Sequence, residues 1–109
     1  MPAAARVGDR HICRGTHPAP HRGGPVSSGC TTVLFAESLA ARVGDTADCT
    51  GPRDDVIVEG CPTVLIAGKP AARRGDRTDG GKIVEGLRTV RIGREPRPAR
   101  SPSPPEKAR

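Results

Sequence analysis

The sequence predicts an all-β domain built from three similar hairpin units. One phrase, Ala-Ala-Arg-x-Gly-Asp, occurs three times, at residues 4–9, 40–45 and 71–76. A second phrase, with β-branched residues around a Gly-containing turn, follows each copy, at residues 25–35, 56–66 and 82–92. The chain contains 14 Gly and 12 Pro and sustains no apolar period of 3.6 residues, so no helix is predicted.

The apolar core of this domain is expected to be small. The 109 residues fit a single small domain, only 34% of them are hydrophobic, and Phe35 is the one aromatic residue. A chain of this size that is poor in large side chains usually needs a metal, a disulfide or a partner to stay folded.

Each second phrase is typical of a β-hairpin. In the second unit, residues 56–58 and 63–66 are β-branched runs on either side of a turn that contains Gly60. A further turn at residues 68–70 leads back into the Ala-Ala-Arg-x-Gly-Asp strand. The first unit differs at residues 35–40, which carry no Gly, so the geometry of its turn does not follow from the repeat.

The three units are expected to fold together around one axis. None is large enough to bury its own strands, so a shared core with pseudo-threefold symmetry is the natural arrangement. The loops between the two phrases differ in length from unit to unit. An object of this kind would match a partner with true threefold symmetry.

The positive charge of the chain is concentrated at its end. The protein has 18 Lys and Arg against 12 Asp and Glu, a net charge of +6, and residues 94–109 alone carry +3 together with five Pro. We expect a domain at residues 1–93 and a disordered tail at residues 94–109. The charge distribution and the lack of stacking aromatics disfavour a nucleic-acid-binding module.

The N-terminus has no apolar signal region and no apolar run is long enough for a membrane helix, so neither secretion by a conventional signal nor stable membrane insertion is expected. Four Cys in a cytosolic chain are more often buried thiols or ligands than disulfides. Cys30 and Cys61 occupy equivalent turn positions, with Leu87 in the third unit, which predicts a small buried apolar site.

The three Gly-Asp pairs are interpreted as turn residues. Asp9, Asp45 and Asp76 recur at identical positions, whereas a catalytic acid cluster would need carboxylates in one place with distinct roles.

These phrases resemble the PAAR-repeat family, named for the stretch that stands here at residues 70–73, and at residues 2–6 with one extra Ala. The resemblance spans residues 2–93. It implies a cone-shaped β-domain that caps the trimeric VgrG-type spike of type VI secretion systems and related phage-like injection particles. It also implies a zinc ion near the apex, held by three His and one Cys.

Carried over residue by residue, the resemblance implies four metal ligands: His11, His21, Cys49 and Asp79. Asp79 stands where similar proteins usually have His, and it would supply an oxygen in place of an imidazole. Zinc accepts tetrahedral sets drawn from Cys, His and Asp, and iron is possible. His17 and Cys13 are the reserve ligands for the fourth position.

The resemblance predicts a structural tip and no enzyme, bound as one copy per spike trimer, assembled in the bacterial cytoplasm and delivered outward. The alternative is a metal-binding adaptor that recruits a separate effector to the spike. A hydrolytic metalloenzyme is disfavoured because a closed four-ligand site leaves no position for an activated water.

Overall fold

The structure, a computed structural model, describes residues 2–14, 23–50 and 53–93. These residues form short antiparallel strands and, among themselves, no helix, so none of them crosses a membrane as a helix. The strands are β1 (Ala3–Ala4), β2 (His11–Cys13), β3 (Gly23–Val26), β4 (Cys30–Phe35), β5 (Ser38–Ala40), β6 (Thr46–Cys49), β7 (Asp55–Val56), β8 (Cys61–Ile66), β9 (Lys69–Ala71), β10 (Gly81–Ile83) and β11 (Leu87–Arg91). The predicted all-β class is confirmed.

The repeated second phrase forms the predicted hairpins. Strand β4 pairs with β5 and β8 pairs with β9 in the same register, so that Cys30 lies opposite Ala40 and Cys61 lies opposite Ala71. Among residues 2–14, 23–50 and 53–93, the third repeat has no following strand of its own. Its β11 pairs instead with β1, the N-terminal strand, and Leu87 lies opposite Ala4. The first and last segments of the domain therefore close the structure into a ring.

A cyclic set of backbone hydrogen bonds lies at the centre of this ring. The second Ala of each motif donates to its counterpart in another repeat: Ala5 to Ala72 at 3.0 Å, Ala72 to Ala41 at 2.9 Å, and Ala41 to Ala5 at 3.0 Å. All three side chains are fully buried. Only a side chain as small as Ala lets three strands approach one axis this closely, and the pseudo-threefold arrangement is confirmed.

Two apolar layers stack along the axis. The layer nearer the hairpin turns contains the buried residues Ala4, Cys30, Ala40, Cys61, Ile66, Ala71 and Ile92. The second layer contains Ala5, Val26, Ala41, Ala47, Ile57, Ala72 and Ile83. The prediction that Cys30 and Cys61 are buried in the core is confirmed. Each thiol also contacts a threonine hydroxyl two residues on, and the hydrogen bond from Thr63 lowers the pKa of Cys61.

The Arg-x-Gly-Asp part of each motif forms a tight turn. The carboxylate of Asp45, for example, accepts hydrogen bonds from the backbone N–H of Arg42 at 2.8 Å and from its Nε at 3.1 Å. The intervening Gly44 has φ +95°, the left-handed conformation that a type II turn requires at this position. The same bonds recur in the other two motifs, so the prediction of turn residues rather than catalytic acids is confirmed.

The turn at residues 36–37, whose geometry the repeat did not predict, has the same register as the turn at residues 67–68. Phe35 lies opposite Ser38, just as Ile66 lies opposite Lys69. At the two central positions the backbone is left-handed in both turns: Ala36 and Glu37 have φ values of 49° and 72°, and Ala67 and Gly68 have 52° and 82°. Glu37 thus adopts a conformation that its matched residue, Gly68, adopts without a Cβ penalty.

The hairpin turns and the described parts of the loops between the two phrases lie on opposite sides of the alanine ring. We call the side with the turns at residues 36–37 and 67–68 the base. Strands β2 and β6 lead from the Arg-x-Gly-Asp turns to the other side, which we call the apical end, and β10, antiparallel to β2, runs back from it.

Candidate metal centre

The structure brings two cysteines together at the apical end. Cys13 and Cys49 each stand four residues after the Asp of a motif, at the ends of β2 and β6. Because the repeats are in register around the axis, the two side chains lie at the same level along that axis. Their Sγ atoms lie 3.3 Å apart, and both residues are half-buried. Cys49 is a predicted ligand, and Cys13 was held only in reserve.

Gly80 holds the matched position in the third repeat, and it leaves room for the sulfurs. A Cβ at Gly80 would lie 2.8 Å from Cys13 Sγ and 3.3 Å from Asp55 Oδ2. The carbonyl of Gly80 also accepts a hydrogen bond from the backbone N–H of Arg14 at 2.7 Å. The third loop is therefore packed directly against Cys13, and a side chain at Gly80 would force the Cys13 sulfur to shift.

His11 precedes Cys13 by two residues on β2, and it is almost completely buried, with 1% of its surface exposed. Its Nδ1 is 2.9 Å from the carbonyl oxygen of Gly24, to which it donates a hydrogen bond when Nδ1 carries the proton. Its Nε2 is 3.1 Å from Asp55 Oδ2, but the orientation makes no hydrogen bond, and Nε2 is a buried nitrogen with no hydrogen-bond partner among the described residues. An imidazole held by its Nδ1 in this way presents Nε2 to a proton or a cation.

Asp55 is a polar residue of the apical end that sequence reasoning missed. Its side chain is buried, and it accepts hydrogen bonds from Thr78 Oγ1 at 2.7 Å and from the backbone N–H of Gly80 at 2.9 Å. A signal was present in the sequence: Asp55 stands two residues before the buried Ile57, where the other two repeats have Gly24 and Gly81. Residues two apart on a strand share a face, so its carboxylate faces inward.

Asp79, the predicted ligand of the third loop, is exposed. Its backbone N–H donates to the carbonyl of Val56 at 2.8 Å, which fixes the loop one residue before Gly80. His21 and the reserve ligand His17 lie outside the described residues. The ligand set drawn from His11, His21, Cys49 and Asp79 therefore stays a prediction.

The donors that the structure describes fit part of a metal site. Two thiolates on a tetrahedral zinc, with bonds of about 2.3 Å, stand roughly 3.8 Å apart, close to the separation of Cys13 and Cys49. The buried Nε2 of His11 is an imidazole nitrogen without a hydrogen bond. Within residues 2–14, 23–50 and 53–93, no three His, Cys, Asp or Glu side chains form a cluster that could hold a metal.

Comparison with known proteins supports the assignment made from the repeats. A family model described as PAAR motif matches residues 16–85, more than half of the 109 residues. No curated protein matches the chain.

Proposed function

The chain belongs to the PAAR motif family, and on that premise we propose that it is the tip that caps the trimeric VgrG-type spike of a contractile injection system, either a type VI secretion system or a phage-like particle. The role is mechanical, and no catalytic step is involved. The protein is assembled with the spike in the bacterial cytoplasm and is delivered outward at its point.

The observation that carries this proposal is the alanine ring. A single chain whose three repeats exchange equivalent backbone hydrogen bonds around one axis presents three similar faces to a partner. A trimer has the same symmetry, so one copy of this chain can sit on the trimer axis and make three nearly equivalent contacts.

The base has the chemistry that such a contact needs. Leu34 and Leu65 occupy matched positions on β4 and β8, with 56% and 58% of their surfaces exposed, and Val64 is 37% exposed. Leu34 and Leu65, each beside a hairpin turn, are the most exposed large apolar side chains among the described residues, which suits a surface that another protein covers. The short strands of the hairpins also leave edges to which the spike's strands can add.

A metal at the apical end completes the proposal, zinc before iron. Cys13 joins His11, His21, Cys49 and Asp79 as a candidate ligand because its sulfur lies beside that of Cys49. When bound, the metal cross-links loops that have little apolar material of their own. The protein residues supply the donors, and Gly80 keeps the space beside the sulfurs open.

Co-purification tests the proposal. The protein is expressed together with the trimeric VgrG-type spike protein from the same genome, and the tagged spike is recovered. The parent chain should co-purify, and a Leu34→Asp, Leu65→Asp double variant should be lost. Val58→Asp is the control, because Val58 has a similar exposure (51%) and stands in the second repeat before the hairpin strand β8 begins. Recovery of the double variant at the parent level would contradict docking through the base.

A further inference from the structure

Two cysteines from different repeats meet at the apical end, in an arrangement that suits a covalent bond between them. The thiol of Cys49 donates a hydrogen bond to Cys13 Sγ, with 3.3 Å between the two sulfurs. The sulfurs of a disulfide are about 2.05 Å apart, so these two need to approach each other by only about 1.3 Å. Both residues are half-buried, so a small oxidant in solvent can reach them.

The backbone explains why these cysteines meet although their strands are not paired with each other. Cys13 ends β2 and Cys49 ends β6, and β3 pairs with β6 and packs against β2. Gly23 of β3 lies opposite Cys49, and a Cβ at Gly23 would overlap the carbonyl of His11 on β2. Because Gly23 has no side chain, β3 lies close against β2, and this brings the end of β6 within reach of the end of β2.

The other two cysteines of the chain do not compete for an oxidant in the folded protein. Cys30 and Cys61 lie in the apolar layer nearer the hairpin turns, with 4% and 3% of their surfaces exposed. The third repeat has Gly80 at the position matched to Cys13 and Cys49, so it offers no thiol at the apical end. The apical pair is therefore the pair that we expect to oxidise.

We propose that Cys13 and Cys49 form an intramolecular disulfide when the protein is free of metal and meets an oxidising environment. The oxidant is a small disulfide such as oxidised glutathione. The thiolate of one cysteine attacks a sulfur of the oxidant, displaces one thiolate and leaves a mixed disulfide. The thiolate of the other cysteine then attacks the cysteine sulfur of that mixed disulfide and displaces the second thiolate. The two cysteines lose two electrons and two protons, and the oxidant becomes two thiols.

The disulfide would join the first repeat to the second at the point where we propose a metal. Linking residues 13 and 49 constrains the unfolded chain, so the bond should stabilise the fold without a metal. A spike tip delivered outward leaves a reducing cytoplasm for surroundings in which disulfides persist. A disulfide could then replace the metal as the cross-link of the apical end. This consequence rests on the proposed function, whereas formation of the bond does not.

The test uses the full-length chain, freed of metal by a chelator under reducing conditions and then incubated with oxidised glutathione. The remaining thiols are blocked with N-ethylmaleimide in denaturant, and the protein is digested with trypsin. Cleavage after Lys and Arg places each cysteine in its own peptide: Cys13 in 11–14, Cys30 in 23–42, Cys49 in 43–53 and Cys61 in 54–73. Mass spectrometry of the monomeric protein should show peptide 11–14 joined to peptide 43–53, and blocked thiols in the other two peptides.

Cys13→Ser and Cys49→Ser are the matched variants, because each keeps one apical thiol and cannot complete the second step. Each should accumulate one glutathione per chain, whereas the parent should not, because its neighbouring thiol displaces the glutathione. Oxidation should raise the melting temperature of the metal-free parent by about 10 °C and leave that of either Ser variant nearly unchanged.

Four results would overturn the proposal. They are a stable glutathione adduct on the parent, a linkage that involves Cys30 or Cys61, disulfide-linked dimers as the main product, and an oxidised parent that melts no higher than the reduced one. The peptide map of the parent decides the question even if a Ser variant fails to fold. The spike takes no part in any of these measurements, so failure of the chain to dock on the spike would leave their outcome unchanged.

Discussion

The backbone N–H of Ala5 donates to the carbonyl oxygen of Ala72 at 3.0 Å, and this bond joins the first repeat to the last. Strand β1 completes the third hairpin beside it, where Ala4 lies opposite Leu87. The domain is thus held together by contacts between its two ends. A fold of this kind has no terminal repeat that could fray independently. A destabilising substitution in one repeat should therefore lower the stability of the whole ring.

The buried turn of the third repeat should be the most sensitive of the three. Arg73 and Asp76 lie 2.9 Å apart with side-chain exposures of 5% and 0%, whereas Arg6 and Asp9 lie 3.4 Å apart with 22% and 8%. Burial raises the pKa of Asp76, and the hydrogen bonds from Arg73 oppose that rise. Asp76→Asn should lower the free energy of unfolding by about 3–5 kcal/mol, because it removes the carboxylate that neutralises the buried guanidinium of Arg73.

The matched control for this prediction is Asp9→Asn, which should cost only about 1–2 kcal/mol because water reaches the Arg6 guanidinium. Chemical denaturation of both variants gives the comparison. Equal losses of unfolding free energy in the two variants would mean that burial does not determine how much these turns stabilise the domain.

Replacing Glu37 with Gly should stabilise the protein. Glu37 has φ 72°, and the matched residue in the second hairpin is Gly68 with φ 82°. Relief of the left-handed strain outweighs the extra backbone entropy of Gly in the unfolded chain, so a gain of about 0.5–1 kcal/mol is expected. Thermal unfolding measures it, and Glu37→Ala, which keeps the Cβ, should show no such gain. A lower melting temperature for the Gly variant would refute this account of the turn.

Metal content should depend on both apical cysteines. We expect about one zinc per chain in the purified protein, and we expect Cys13→Ala and Cys49→Ala each to lower it strongly, because their sulfurs lie 3.3 Å apart. Cys30→Ala is the control, since that thiol is buried in the apolar layer nearer the hairpin turns. Elemental analysis gives the content. Stoichiometric zinc in both apical variants would remove these sulfurs from the ligand set.

The third loop is tested separately at Asp79. If its carboxylate is a ligand, Asp79→Ala should weaken zinc binding while Asp79→His should keep it, because imidazole is an equally good donor. A competition titration with a chromogenic chelator measures the affinity. If Asp79→Ala binds zinc with the parent affinity, the fourth ligand is instead one of the reserve residues, His17 or Cys13.

Deleting residues 94–109 should leave the domain intact. Ile92 is buried, and its backbone N–H donates to the carbonyl of Pro2 at 2.9 Å, so the described ring is complete by Gly93. The truncated chain should keep its thermal transition within about 2 °C and should still co-purify with the spike. Loss of either property would show that the domain boundary lies beyond residue 93.

The repeats made the symmetric part of the structure predictable. Because each Asp of the Gly-Asp pairs acts on its own turn, three residues away, local sequence was enough to assign its role. The burial of Cys30 and Cys61 followed from the exchange with Leu87 at the matched position. The Gly-Asp turns are alike in all three repeats, so each copy supported the interpretation of the others.

The asymmetric part was not predictable in the same way. Asp55 contacts Thr78 and faces His11, residues that belong to the other two repeats, and that meeting depends on how the loops close over the axis. The closeness of Cys13 to Cys49 likewise depends on a register shared by β2 and β6. Sequence spacing within one loop carries no information about either contact.

The stoichiometry of the complex with the spike tests the central claim most directly. Native mass spectrometry of the complex purified with the trimeric VgrG-type spike should give one copy of this 109-residue chain for three spike chains. That ratio is expected because the three repeats already supply a threefold face. Three copies per trimer, or a chain that never associates with the spike, would contradict the account.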